Sequence, residues 1–231
     1  MQTVPHTVHC NECKFRSLLF NNLKGEELEI FNQNRRDLLF KKGETIIKES
    51  HEITEFLYLK TGLVKIHKMG MDKNDHIISI AQPLDFVSLL SIFSKSIFEF
   101  SITAIEESTV CAINIEFLES LVKSNGIFAL DLLNKLSTTY DNIINTRFML
   151  SSKHLRGRIA YIILFFSNKI YHDNKFELPL SRKEIGELIN MTTENVIRIL
   201  SEFRKDGIIG IDGKTIEIQN EEILRKICEL G

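Results

Sequence analysis

The sequence has no tryptophan, no apolar run approaching ~18 residues and only four cysteines in 231 residues. The missing run excludes a transmembrane helix, and no membrane partner is expected. The first residues carry neither a basic start nor an apolar stretch, so no secretory signal is expected and the chain is placed in the cytoplasm. In that compartment four cysteines do not make a disulfide framework. No Ser-His-Asp set, Walker loop or dinucleotide fingerprint occurs, so no enzyme is expected. Strong charge is missing too, since the formal net charge is −2. Its distribution is uneven: residues 1–146 carry 15 Lys and Arg against 19 Asp and Glu, whereas residues 147–231 carry 14 against 12. The second part is thus the more basic one, though weakly, and any electrostatic attraction to nucleic acid is modest. What is abundant is apolar: 43% of the chain, with 16 phenylalanines, enough for sizeable cores. The length suits two domains.

The most informative stretch is Leu180–Asp206, LSRKEIGELINMTTENVIRILSEFRKD. Ser181 with Glu184 three residues on is a capping box, so a helix starts at Arg182. Ile185, Leu188 and Ile189 give it an apolar face. After Asn190-Met191 the Thr192 hydroxyl caps a second helix. There Val196, Ile199, Leu200 and Phe203 form one buried stripe. Two short helices so joined are a helix-turn-helix. The second helix turns Thr193, Glu194, Ile197, Arg198 and Ser201 outward. Glu194 and Arg198 are neighbours at i and i+4. Arginine grips guanine O6 and N7, glutamate accepts from the cytosine amine, and Ile197 suits a thymine methyl. The same residues also fit a solvated Glu–Arg pair beside one stray isoleucine. The residues after the helix favour base reading over the solvated pair. Gly207 ends the helix as its C′ residue. Ile208–Ile211, Asp212-Gly213 and Lys214–Ile218 read as a hairpin with a type I′ Asp-Gly turn. That makes a winged helix with Lys214 at the wing tip, where a phosphate would lie.

The line SRKEIGELINMTTENVIRILSEFRKDG…GKTIEI resembles the CRP/FNR superfamily of bacterial transcription regulators, and the resemblance covers nearly the whole chain. It implies that Glu194 and Arg198 read the G·C pair of a TGA-like half-site and that Arg182 and Thr192 touch phosphates. Two positions depart from the family. FNR-type members usually carry Ser at the place of Ile197, and the cyclic-AMP receptor carries Arg at the place of Thr193. These departures bear on the outer bases of the half-site.

Upstream, many short apolar strands separated by turns read as a β-barrel or roll. They are 45–47, 56–59, 63–67, 76–80, 102–105 and 110–115, with a polar turn at 72–75; a helix over 26–34 precedes them with Leu28 and Phe31 inward. The resemblance names this part the double-stranded β-roll of cyclic-nucleotide-binding domains. Nucleotide binders of that type bond the ribose with a glutamate and the cyclic phosphate with an arginine. Here those places hold Leu89 and Phe98. A buried phosphate without a cation is very costly, so no cyclic nucleotide is expected. A collapsed apolar core fits these residues better; an apolar ligand or haem is the alternative occupant.

Cys10 and Cys13 form a C-x-x-C, with His6 and His9 just before it. By itself this fits zinc, iron–sulfur, a redox pair, or no role at all. FNR-type sensors hold an oxygen-labile [4Fe–4S] cluster on four cysteines, and the resemblance matches Cys10, Cys13 and Cys111 to three of them. The remaining place is Leu19, which cannot ligate iron, so a cluster would need His6, His9 or another outside ligand, or would be of a different type. Cys111 alternates with Ile113 and Ile115 and is equally a packing residue. Cys228, in the terminal helix, reads as packing.

A short helix over 117–121 leads into the longest periodic stretch. Leu133, Leu136, Tyr140, Ile143, Arg147 and Leu150 are spaced 3-4-3-4-3, the a/d seam of a coiled coil, which predicts a homodimer. An amphipathic helix packed on its own roll is the alternative. Arg147 is the odd member, and a charge there lowers seam stability. Residues 151–158, with Gly157, read as the hinge. Residues 159–166 read as a buried helix, 176–180 as an edge strand with Pro179, and 219–231 as a terminal helix with Ile223, Leu224 and Ile227 inward.

The expected fold is therefore α+β in four parts. These are a Cys-containing segment (1–24), a β-roll sensor domain (25–122), a dimerisation helix (123–152) and a winged-helix DNA-binding domain (153–231). The expected function is a homodimeric transcription regulator on a pseudo-palindromic double-stranded DNA operator, with RNA polymerase as a further partner. Its effector is not cyclic AMP; redox state, oxygen or nitric oxide would enter through a metal or thiol site. Two rivals remain: a sensor module without DNA recognition, and a thiol-redox protein using Cys10 and Cys13. The outward Glu194 and Arg198 speak against the first. No βαβ pattern surrounds the C-x-x-C, which speaks against the second.

Overall fold

A computed structural model supplies the coordinates and describes residues 2–4, 10–13, 20, 22–71, 75–89 and 91–231. His6, His9, Leu19 and most of the turn expected at 72–75 lie outside the described residues. The chain divides into two compact units, Met1–Asn142 and Ile143–Gly231.

In the first unit helix α1 (Glu26–Gln33) buries Leu28 and Phe31. The strands are β1 (Gln2–Val4), β2 (Arg35–Phe40), β3 (Thr45–Ile47), β4 (Glu55–Thr61), β5 (Val64–Met69), β6 (Asp75–Ala81), β7 (Ser101–Ala104) and β8 (Ser108–Asn114). They form two antiparallel four-stranded sheets, ordered β1-β2-β8-β4 and β3-β7-β5-β6. Strand β8 lies between β2 and β4, which is why Val110–Ile113 is apolar without alternation and wholly buried. Phe56, Leu59, Ile102, Ile113 and Phe128 are fully buried. Each such side chain contributes about 1.5–3 kcal/mol by leaving water.

The alternation expected to run through Ile115 stops one residue earlier. Asn114 caps helix α2 (Ile115–Ser124), its side chain accepting from the Phe117 N–H at 3.0 Å. Helix α3 (Gly126–Ser152) comes next. Its first half is held to the first unit: Leu136 packs on that core and Asp131 accepts from the Asn22 amide at 2.6 Å.

In the second unit only Lys153 and His154 separate α3 from α4 (Leu155–Phe165), which a six-residue π-helical segment, Phe166–Tyr171, continues. Gly157, expected within a hinge, lies inside α4, where a Cβ would meet the Gly231 carbonyl carbon at 2.7 Å. Strand β9 (Lys175–Glu177), helices α5 (Arg182–Ile189) and α6 (Thr193–Lys205), strands β10 (Ile209–Asp212) and β11 (Thr215–Ile218), and helix α7 (Glu221–Leu230) complete it. The strands pair antiparallel in the order β10-β11-β9, so β9 is an edge and ends before Pro179.

The structure corrects two expectations in this unit. Asp212 pairs with Thr215, so the hairpin turn is Gly213-Lys214 rather than Asp212-Gly213. Gly213 has φ +59° while Lys214 is not in the positive-φ region, the pattern of a type II′ turn with glycine first. In α7 Leu224 is buried but Ile223 is exposed, because only one face of that helix meets the unit.

Candidate nucleic-acid interface

The helix-turn-helix is built by its caps. Ser181 Oγ accepts from the Glu184 N–H at 3.2 Å and the Glu184 carboxylate accepts from the Ser181 N–H at 2.8 Å. Asn190 ends α5 in the left-handed region, and the Met191 N–H donates to the Gly186 carbonyl at 2.9 Å. Thr192 Oγ1 accepts from the Asn195 N–H at 3.3 Å and starts α6. The turn closes so tightly that a Cβ on Gly186 would lie 2.5 Å from the Met191 carbonyl oxygen. Gly186→Ala is therefore expected to destabilise the second unit by about 1–3 kcal/mol through overpacking. A lower urea midpoint would show it; an unchanged midpoint would reject the close approach.

At its far end α6 stops in a Schellman arrangement. The Ile208 N–H donates to the Phe203 carbonyl at 2.9 Å and the Gly207 N–H to the Arg204 carbonyl at 3.2 Å. Val196, Ile199, Leu200 and Phe203 are buried, so the helix cannot rotate about its axis without exposing that stripe. Arg156 fastens it from α4, donating to Glu202 at 2.8 Å and Asp206 at 3.2 Å over the Phe203 ring.

Opposite that stripe Glu194, Ile197, Arg198 and Ser201 are exposed, and Thr193 is half-buried at the start of the helix. Glu194 is held below the usual carboxylate range first by its own backbone N–H and then by the Thr192 hydroxyl, so it presents a carboxylate. Arg198 does not pair with Glu194. It donates to Glu202 in the next turn and to Asn195 at 3.2 Å. Arg182, expected against a phosphate, donates to the Gly213 carbonyl at 3.3 Å and so ties α5 to the wing. Burial lowers the pKa of its guanidinium. Lys214 is exposed at the wing tip.

Sequence reasoning missed the residues that hold this frame. Arg147 donates to the Leu188 carbonyl at 3.3 Å, and Arg158 to the carbonyls of Ile189 at 3.2 Å and Asn190 at 3.1 Å. Two guanidiniums thus satisfy the last carbonyls of α5, where cations also favour the helix dipole. Periodicity had placed Arg147 in a dimer seam, and nothing in it signals a contact 41 residues away. The other seam residues divide: Leu133 and Tyr140 are exposed, Leu136 and Ile143 are half-buried and Leu150 is 5% exposed.

In the first unit Leu89 and Phe98 are both buried within the apolar core. Titration of the protein with cyclic AMP in a calorimeter is expected to give no binding heat, since no cation stands at either position. A micromolar affinity would overturn this.

Cys10, Cys13 and Cys111 do come together around one cavity of about 20 Å³, shared with Phe20, Phe31, Arg35, Tyr58 and Lys60. Arg35 and Lys60 both reach Asp37, at 3.5 and 2.7 Å. Cys111 sits on β8 between Asp37 and Tyr58, and burial is the main cause that pushes its thiol up to about 12. A four-cysteine iron–sulfur cluster does not fit these residues. Three thiols border this cavity, one too few for that ligand set. Among the described residues no three His, Cys, Asp or Glu side chains stand as a metal-holding group.

A family model described as the Crp-like helix-turn-helix domain matches residues 157–227, and one described as the cyclic nucleotide-binding domain matches residues 38–125. The fumarate and nitrate reduction regulatory protein of Escherichia coli strain K12 is 25% identical over 227 residues, covering 96% of this chain and 90% of its own. Its counterpart in Salmonella typhimurium strain LT2 is 26% identical over the same length. Among solved structures, FixK2 from Bradyrhizobium japonicum superimposes with a TM-score of 0.74 at 23% identity, covering 84% of this chain and 96% of its own. A putative CRP/FNR-family transcriptional regulator from Eubacterium rectale superimposes with a TM-score of 0.79 at 19% identity, covering 92% and 98%. These two likenesses concern the fold.

Proposed function

Since this chain is a DNA-binding transcription regulator of the CRP/FNR superfamily, and not an enzyme, we propose that it acts as a homodimer that lays α6 of each copy in successive major grooves. The grooves would be about one helical turn, ~34 Å, apart on a pseudo-palindrome. Glu194 and Arg198 read the G·C pair of a TGA-like half-site, and Ile197 meets a thymine methyl. Thr192, Thr193 and Lys214 take phosphates, and Arg182 sets the wing. RNA polymerase is the partner that turns binding into regulation, and the compartment is the cytoplasm. No helix among the described residues is long and apolar enough to cross a membrane.

One observation carries the reading: an exposed carboxylate and an exposed guanidinium a turn apart on a helix whose other face is buried. The signal is a redox or small-molecule one received at the Cys10–Cys13 segment rather than a cyclic nucleotide. Selection of bound duplexes from a random pool tests the DNA reading. Paired TGA-like half-sites one turn apart should be enriched; a pool without sequence preference would reject it.

A further inference from the structure

We propose that Cys10 and Cys13 are an oxidisable dithiol, which low-molecular-weight disulfides convert to an intramolecular disulfide with Cys13 as the entry thiol. The inference rests on the proposed function only for its regulatory meaning.

Geometry comes first. Cys10–Glu12 is a single 3-10 turn, and the Cys13 N–H donates to the Cys10 carbonyl at 3.4 Å. Both thiols are thereby kept on one tight turn, and both border the same small cavity. Access is graded next. Cys13 is half-buried, whereas Cys10 and Cys111 are 5% and 6% exposed. Exchange begins at the sulfur a reagent can reach, and a neighbouring thiol then resolves the mixed disulfide. Arg35 and Lys60 border the same cavity, each paired with Asp37. Cys111 is the bystander, fixed in the middle of β8 between two neighbouring strands.

The chemistry balances with one disulfide, RS–SR, as oxidant. The Cys13 thiolate attacks it, forming Cys13–S–SR and releasing RS⁻. The Cys10 sulfur attacks Cys13 Sγ, expels the second RS⁻ and closes the protein disulfide. The two thiol protons end on two RSH molecules, and the two electrons lost by the protein reduce RS–SR.

The test uses the full chain, reduced, freed of reductant, incubated with oxidised glutathione, alkylated and cut with trypsin. Cleavage after Lys14 leaves both thiols in peptide 1–14, and cleavage after Lys95 and Lys123 puts Cys111 in peptide 96–123. The expected result is peptide 1–14 without alkyl groups and lighter by two hydrogens. Cys13→Ser should abolish it and Cys111→Ser should leave it in place; should that second variant not fold, the wild-type peptide pattern still decides. Three results would overturn the proposal: peptides 1–14 and 96–123 cross-linked, a lasting glutathione adduct on Cys13, or full alkylation of both thiols after oxidation. DNA affinity of the reduced protein, measured separately, tests the regulator reading, so either can fail alone.

Discussion

Glu194→Ala and Arg198→Ala are each expected to cost ~1–3 kcal/mol of affinity per half-site and to relax discrimination at one base pair. That is about 5- to 150-fold in Kd for each half-site, and a symmetric dimer feels it twice. The fold should not notice. Both side chains are exposed, and exposed substitutions normally stay within about 0.5 kcal/mol of stability. Arg198 must leave Glu202 and Asn195 to reach a base, but an exposed ion pair on one helix contributes little, so its release costs little. Glu202 is not abandoned when it goes, because Arg156 still donates to it. Fluorescence anisotropy against duplexes carrying each base in turn is the measurement. Equal loss on every sequence would mean that these residues touch only the backbone, and the reading of α6 would fail.

Arg182→Ala separates two roles. A phosphate contact would lower the slope of log affinity against log salt by about one. A tie to the Gly213 carbonyl instead loosens the wing, and the geometry favours that second result.

The winged-helix half was legible because its signals are local and agree. The capping box, the Thr192 cap, the stripe from Val196 to Phe203 and the Gly207 stop all lie within a few residues of what they organise. The wing turn was misplaced by one residue because Asp-Gly and Gly-Lys both satisfy turn chemistry, and the choice is made by pairing of Asp212 with Thr215. Arg35, Asp37 and Lys60 went unnoticed beside the thiols. Arg35 and Asp37 alternate to the same side of β2, but Lys60 comes from β4, and no local pattern announces that it will reach Asp37. Ile223 read as inward because a helical period marks an apolar stripe without saying how wide the buried part of it is.

The long helix shows the same limit with the larger consequence. Its apolar residues make two adjoining stripes. Leu136, Ile143 and Leu150 turn inward to differing degrees, while Ile127, Leu130, Leu133, Tyr140, Ile144 and Phe148 are exposed, Phe148 at 74%. Heptad spacing cannot tell which stripe the chain covers by itself. Leu133 and Tyr140 are thus exposed with Leu130, and with Ser137 and Ile144, which lie one position beyond the expected Leu136 and Ile143. A row of large apolar side chains left to water is what a second copy would cover. Ile144→Glu with Phe148→Glu is expected to abolish self-association and to lower affinity for a full operator by about 10²–10⁴-fold, the avidity a linked second site supplies. Affinity for an isolated half-site should stay unchanged. Leu150→Glu should instead unfold its surroundings, because that side chain is buried. Arg147→Leu should leave association intact and weaken the end of α5, from which it withdraws a donor. Sedimentation of each variant beside its anisotropy curve distinguishes these outcomes. A glutamate pair that still sediments as a dimer would show that the copies meet through another surface.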